Sequence, residues 1–297
     1  MPAFLRLPFL ALALACFAAG ARAEEVKIPL GGLALNGELE MAPGKTMADG
    51  IILLVHGTLM HGRVELLAGL QKRLSARGLN SLAITLSLAI DDRHGNYDCT
   101  RAHRHRQEDA VGEIDAWIGW LKSRGATSVV VAGHSRGGTQ AALHATSRDE
   151  PAVSRYILIA PATFDAAETA AAYETTFKTP LAPLLDNADA LLKNSKGDVM
   201  LNDIGLLYCH NASVSAASFV SYYGDDGKKH APDLTGAIKK PTLMVVAGND
   251  TMMRNLDKLV APDPPRLNVV TIDGADHFFL DLYLDDLADR IVEFLAK

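Results

Sequence analysis

A chain of 297 residues, 48% hydrophobic and 22% charged, has the balance of a globular protein and is long enough for one large α/β domain or two ordinary ones. This composition excludes a disordered tail protein. With 35 acidic against 29 basic residues and a net charge of -6, there is no general electrostatic reason to bind nucleic acid.

At the start of the chain, Arg6 precedes an apolar run from Leu7 to Ala19, and Ala21-Arg22-Ala23 fits the A-x-A cleavage pattern of a secretory signal. The run is shorter than the roughly 20 residues a spanning helix needs. Residues 1–23 are therefore expected to be a cleaved leader and 24–297 the folded domain. That domain would be periplasmic or secreted, with no stable membrane insertion. An uncleaved anchor and a lipoprotein built on Cys16 are the alternatives. In the second, Ala13-Leu14-Ala15-Cys16 puts the leucine one place off the lipobox order.

Val26 to Leu30 and Leu33 to Leu39, separated by Gly31-Gly32, read as an antiparallel hairpin. Ile51 to Val55 is an unbroken apolar strand of the kind buried on both faces. Glu65 to Arg77 is a predicted helix with Leu66, Leu70 and Leu74 on one stripe and Gly78 as its stop, and Leu79 to Leu86 returns as a strand. Gln107 to Arg124 is amphipathic, with Val111, Ile114, Ile118 and Leu121 at helical spacing. A strand from Ser128 to Ala132, a helix from Ser135 to about Thr146 and strands at Tyr156–Ala160, Thr242–Ala247 and Leu267–Ile272 follow. A last helix runs from about Tyr283 to Phe294. Such alternation predicts an α/β fold with a mostly parallel central sheet flanked by helices. Between Pro161 and Pro241 the alternation stops. Ala-rich helical stretches without a convincing β-branched run predict a helical cap inserted at about residues 161–240, because a structureless loop of that length is unusual.

The segment Val129-Val130-Val131-Ala132-Gly133-His134-Ser135-Arg136-Gly137-Gly138 carries the chemistry. It is a buried strand running through G-x-S-x-G directly into a helix. Such a turn strains its central residue, requires small flanking residues and exposes Ser135 at a helix N-terminus, where N–H groups favour developing negative charge. Here the chain resembles the α/β-hydrolase family, over about residues 26 to 297. The family order of serine, acid and histidine is matched by Ser135, by Asp250 in Ala247-Gly248-Asn249-Asp250, and by His277 in Gly274-Ala275-Asp276-His277-Phe278-Phe279. Asp165 is the rival acid, and Asp276 is expected to be a loop turn or cap. Ile51-Ile52-Leu53-Leu54-Val55-His56-Gly57-Thr58 resembles the family's H-G loop. The backbone N–H groups of Thr58 and Arg136 are thus expected to form the oxyanion hole, with Leu59 replacing Thr58 if the loop is shifted and His56 structural.

Cys99 and Cys209 remain once Cys16 leaves with the leader, an even count that predicts a disulfide, with two free thiols as the alternative. His94, Arg101, His103, Arg104, His105 and Arg106 surround Cys99. H-x-H supplies only two metal ligands, so this stretch reads as a loop at the active-site edge that meets an anionic substrate, or as solvated surface. Two readings of the Arg136 side chain stay open: binding a substrate carboxylate, or a buried ion pair.

The resemblance implies an exported serine hydrolase that cleaves a small-molecule ester, less readily a thioester or amide, through an acyl-enzyme. No metal or organic cofactor is required. An acyltransferase on the same residues and a non-catalytic binding module of the same fold are the alternatives. Lys193, Lys196, Lys228 and Lys229 with Asp186, Asp189, Asp225 and Asp226 make the cap too mixed for a long-chain lipase, and oligomeric state is left open.

Overall fold

In the computed structural model, residues 23–260 and 266–297 are described; the leader reading of residues 1–23 falls, Ala23 aside, outside them. Gly31 and Gly32, at φ of 58° and 86°, turn β1 (Glu24–Leu30) back onto β2 (Leu33–Glu40) as the expected hairpin. The apolar runs then become β3 (Ile51–Val55), β4 (Ser81–Thr85), β5 (Val129–His134) and β9 (Thr242–Ala247), each buried at every residue. With β6 (Val153–Ile159) and β10 (Leu267–Ile272) they make an eight-stranded sheet in the order β1-β2-β4-β3-β5-β6-β9-β10 among the described residues. Pairing is antiparallel from β1 through β2 to β4 and parallel from β4 to β10.

Because side chains alternate along a strand, each face of the sheet collects its own core. Leu53, Val55, Val129 and Val131 meet Ile114, Trp117 and Ile118 of α2 (Asp109–Ser123) on one face. Ile52, Leu54, Val130 and Ala132 meet Leu66, Leu70 and Leu74 of α1 (Glu65–Ala76) and Leu284, Leu287 and Ile291 of α9 (Leu282–Leu295) on the other. Each such burial contributes about 1.5–3 kcal/mol, so the helices are held by their stripes more than by their own hydrogen bonds. Among the described residues no helix is long and apolar enough to cross a membrane.

Between β6 and β9 the chain leaves the sheet as α4 (Ala166–Phe177), α5 (Leu181–Lys193), β7 (Met200–Leu206), β8 (Cys209–Ser215), α6 (Ala216–Tyr223) and α7 (Ala231–Thr235). The expectation of a wholly helical insertion is corrected by the antiparallel pair β7 and β8. Its pattern is hidden because Asp203 and Asn211 sit at positive φ (57° and 50°) and the register shifts beside Ile204, which breaks the alternation of period two. Cys209, Ala212 and Val214 still point inward.

The hairpin is stitched to the loop after β4. The N–H of His103 donates to Ser213 O (2.8 Å), that of Ser215 donates to His103 O (2.9 Å), and Cys99 and Cys209 form a disulfide across a Cα–Cα distance of 5.3 Å. Because this bond closes a loop of 110 residues, replacing both cysteines by alanine is expected to lower stability by about 2–5 kcal/mol. A denaturant midpoint that does not move would show that the loop is not covalently closed.

Candidate active site

β5 passes into α3 (Arg136–Ser147) through the single residue Ser135, at φ 54° and ψ -123°. A non-glycine residue there costs on the order of 1–3 kcal/mol, so the surroundings must impose it. They do so by close backbone approach. A Cβ on Gly133 would lie 2.1 Å from Gly137 O, and one on Gly137 would lie 2.4 Å from His56 O and 2.5 Å from Val55 O. The two glycines of G-x-S-x-G let α3 fold back over β5 and rest against the end of β3.

β9 and β10 are parallel neighbours in register, with Ala247 beside Ile272, so the loops after them emerge together. Gly248 N–H donates to Ile272 O (3.0 Å) and Asn249 N–H to Ala275 O (2.8 Å), fixing one loop on the other. His277 Nδ1–H then donates to Asp250 Oδ2 at 2.7 Å, while Asp250 Oδ1 accepts the N–H groups of Met252 (2.7 Å) and Met253 (2.8 Å). Burial pushes the Asp250 carboxyl upward, but the bonds from His277, Met253 and Met252 outweigh it and hold it below the ordinary carboxylate range. With the proton on Nδ1, Nε2 of the neutral ring is left free to accept one.

His134 ties this pair to the elbow. Its Nε2–H donates to His277 O at 2.8 Å, and the two rings lie 4.8 Å apart. Sequence reasoning did not single it out; its place beside Ser135 was the available signal. The Ser135 hydroxyl and His277 form no hydrogen bond among the described residues, a looseness common before substrate binds. Asp165 instead caps α4, accepting Glu168 N–H (2.8 Å), and Asp276 accepts Phe278 N–H (3.0 Å) as a loop turn. Neither meets His277.

Across the elbow lies the loop after β3. A Cβ on Gly57 would stand 3.4 Å from Ser135 Cβ, and Thr58 Oγ1 accepts from Arg136 Nε at 3.1 Å. The N–H of Arg136, first in its helix, has no intrahelical acceptor. His56 is structural: Nδ1–H donates to Gly57 O (2.7 Å), and Nε2 accepts from Leu86 N–H (3.0 Å). Arg93 braces the same loop through Met60 O (2.6 Å), Leu86 O (2.7 Å) and Gly95 O (2.7 Å).

Residues 52–293 match the model of the family described as alpha/beta hydrolase. The chain belongs to that family. A search of curated proteins finds no significant sequence match to this hydrolase. Among solved structures it resembles Est1E from Butyrivibrio proteoclasticus, with 18% identity over 92% of this chain and 99% of that one and a TM-score of 0.62. A Pyrococcus furiosus esterase (17%, 93% and 90%, 0.59) and a Paleococcus ferrophilus monoacylglycerol lipase (21%, 88% and 98%, 0.59) resemble it similarly. At these identities the likeness is one of fold.

In this hydrolase the His/Arg-rich stretch is not one patch. The chain is extended there, so His103 and His105 point inward while Arg101, Arg104 and Arg106 are exposed. His103 Nδ1 lies 3.3 Å from His105 Nε2, and His105 Nδ1 lies 2.9 Å from Tyr222 OH. His94 pairs on the surface with Glu25 (3.1 Å). Glu25, Asp92 and His94 lie close enough to share a cation, but Lys27 and Arg63 already pair with the two carboxylates. The ion-pair reading of Arg136 is corrected: its side chain meets neutral groups, Thr58 Oγ1 and Gln107 Oε1, with no carboxylate in salt-bridge range among the described residues.

Burial lowers His56, His105 and His134 to about 3 and His103 to about 4, so all four are neutral in the folded state. Unfolded, they take up protons near pH 6.5. Below that pH the unfolded chain therefore binds more protons, and each histidine removes up to about 1.4 kcal/mol per pH unit. The denaturant midpoint is expected to hold above pH 6.5 and fall steadily from there to pH 4.5, less steeply in His105→Phe. A level profile would contradict the buried-neutral assignment.

Proposed function

We propose that this protein is an exported serine hydrolase that cleaves small-molecule carboxylic esters. The observation that carries the reading is the 2.7 Å His277–Asp250 bond, tied by His134 to a serine in a strained strand-to-helix turn. His277 Nε2 takes the Ser135 proton as Oγ attacks the ester carbonyl, and Asp250, held ionised, stabilises the imidazolium so formed. The backbone N–H groups of Thr58 and Arg136 receive the oxyanion. Collapse of the tetrahedral intermediate expels the alcohol with the proton from His277, leaving an acyl group on Ser135. Water activated by the same imidazole then releases the acid.

That two structures of similar fold are named as an esterase and a monoacylglycerol lipase supports ester chemistry. Export is supported by the Ala21-Arg22-Ala23 pattern and by the Cys99–Cys209 disulfide, a bond kept in oxidising compartments.

Turnover of 4-nitrophenyl butyrate is the test. Asp250→Asn is expected to lower kcat by about 10⁴-fold, and Ser135→Ala or His277→Ala by at least as much, with folding intact by circular dichroism. A folded Ser135→Ala variant that keeps wild-type turnover would overturn the proposal.

A further inference from the structure

A cavity of about 230 Å³ lies beside the elbow, walled by Phe164, Tyr173 and Tyr222 and faced by two cations, Arg136 and Lys229. It adjoins the backbone of the elbow: Arg136 follows Ser135 in the chain, and Ala162, another wall residue, donates its N–H to Ser135 O at 3.0 Å. Among the described residues no acidic side chain lines it. Lys229 is offset by Asp226 at 2.6 Å, so the uncompensated charge is that of Arg136.

The chain itself supplies a comparison. Arg93 is buried, and like Arg136 it has no carboxylate at salt-bridge distance among the described residues, yet its Nε, Nη1 and Nη2 all donate to backbone carbonyls, Nη2 to His56 Nε2 as well. It is a finished structural guanidinium. Arg136 is not. Nε goes to Thr58 and Nη1 to Gln107, whereas Nη2 has no hydrogen-bond partner among the described residues. The guanidinium is packed over the Tyr222 ring, 5.2 Å from its centroid. Its neutral holders are themselves fixed, since Gln107 N–H donates to Ser221 Oγ (2.8 Å) and Gln107 O accepts from Gln140 (3.0 Å). They aim the cation without neutralising it. A partly buried cation that lines a cavity with a donor to spare is favoured by an anion that completes its hydrogen bonding.

We propose that this cavity binds a carboxylate of the substrate, so that the preferred esters are short and carry a second, free carboxylate that Arg136 holds through Nη2 while the aromatic walls cover the intervening methylenes. A carboxylate fits because a guanidinium edge presents donors in its plane. The assignment rests on the serine-hydrolase reading of Ser135 and adds the substrate class. Arg136 thereby acts twice, by its backbone at the oxyanion and by its side chain in selectivity.

The test compares kcat/KM within two pairs of esters. The mono-4-nitrophenyl ester of glutaric acid against 4-nitrophenyl pentanoate puts the carboxylate on the acyl side, and 4-acetoxybutanoate against its methyl ester puts it on the alcohol side. Wild type is expected to prefer the carboxylated member of at least one pair by about tenfold or more, the worth of one charge-assisted hydrogen bond. The ratio should fall toward unity in Arg136→Gln, fall partly in Lys229→Met and be partly kept in Arg136→Lys. Ser135-dependent cleavage of the neutral esters with no preference in either pair, or a preference that survives in folded Arg136→Gln, would overturn the proposal while leaving the serine-hydrolase reading intact. Calorimetric titration with glutarate reads the cavity without turnover. Binding that weakens about tenfold in Arg136→Gln upholds the carboxylate site even if ester cleavage fails, and absence of binding to wild type counts against it.

Discussion

The start of α3 lies so close to the ends of β3 and β5 that neither Gly133 nor Gly137 has room for a Cβ, and the geometry around Ser135 follows from that approach. It puts Ser135 at a backbone conformation an ordinary residue avoids, brings Gly57 within contact distance of the serine and leaves the first N–H of α3 without an intrahelical acceptor. The strain at Ser135 is balanced by a core that spans both faces of the sheet. A strained nucleophile needs such a frame, because a soft one would relax it away.

Around this turn the protein uses neutral imidazoles as struts. His56 fixes the loop at Gly57, His134 fixes the backbone of His277, and His103 and His105 join the loop after β4 to Tyr222 in the insertion. Burial keeps all four uncharged, so each spends its ring N–H on one acceptor and adds no cation near the serine. His277 differs in its partner, a carboxylate held below its usual range. The polar groups are therefore oriented in advance in a largely buried site, which is the condition under which N–H dipoles stabilise a developing oxyanion most strongly. Arg136 extends the same logic into the neighbouring cavity, where a charge is aimed by neutral partners.

Much of this is legible in the amino-acid order because it repeats at several levels. Ile51 to Val55 reads as a doubly covered strand and is one; Leu66, Leu70 and Leu74 read as a stripe and are buried together. Ser135, Asp250 and His277 each follow a strand of the parallel sheet, so strand order alone brings their loops to one edge. What stays hidden depends on contacts distant in sequence. β7 and β8 lack the bulky alternation of a strand and are held by His103 and Cys99, which no local window contains. The run from His94 to Arg106 looks like one basic patch because composition does not tell which side of an extended chain faces inward. For Arg136 the local pattern allowed two partners, and only the positions of Thr58 and Gln107 show that its side chain is held by neutral groups and not by a carboxylate.

The central claim is that the turn at Ser135 holds an activated nucleophile. Its most direct test is a fluorophosphonate probe on purified protein, read by intact mass. One covalent adduct on wild type, absent from Ser135→Ala and greatly slowed in Asp250→Asn, is the predicted result. Folded wild type that takes up no adduct, or an adduct that persists in Ser135→Ala, would contradict the account.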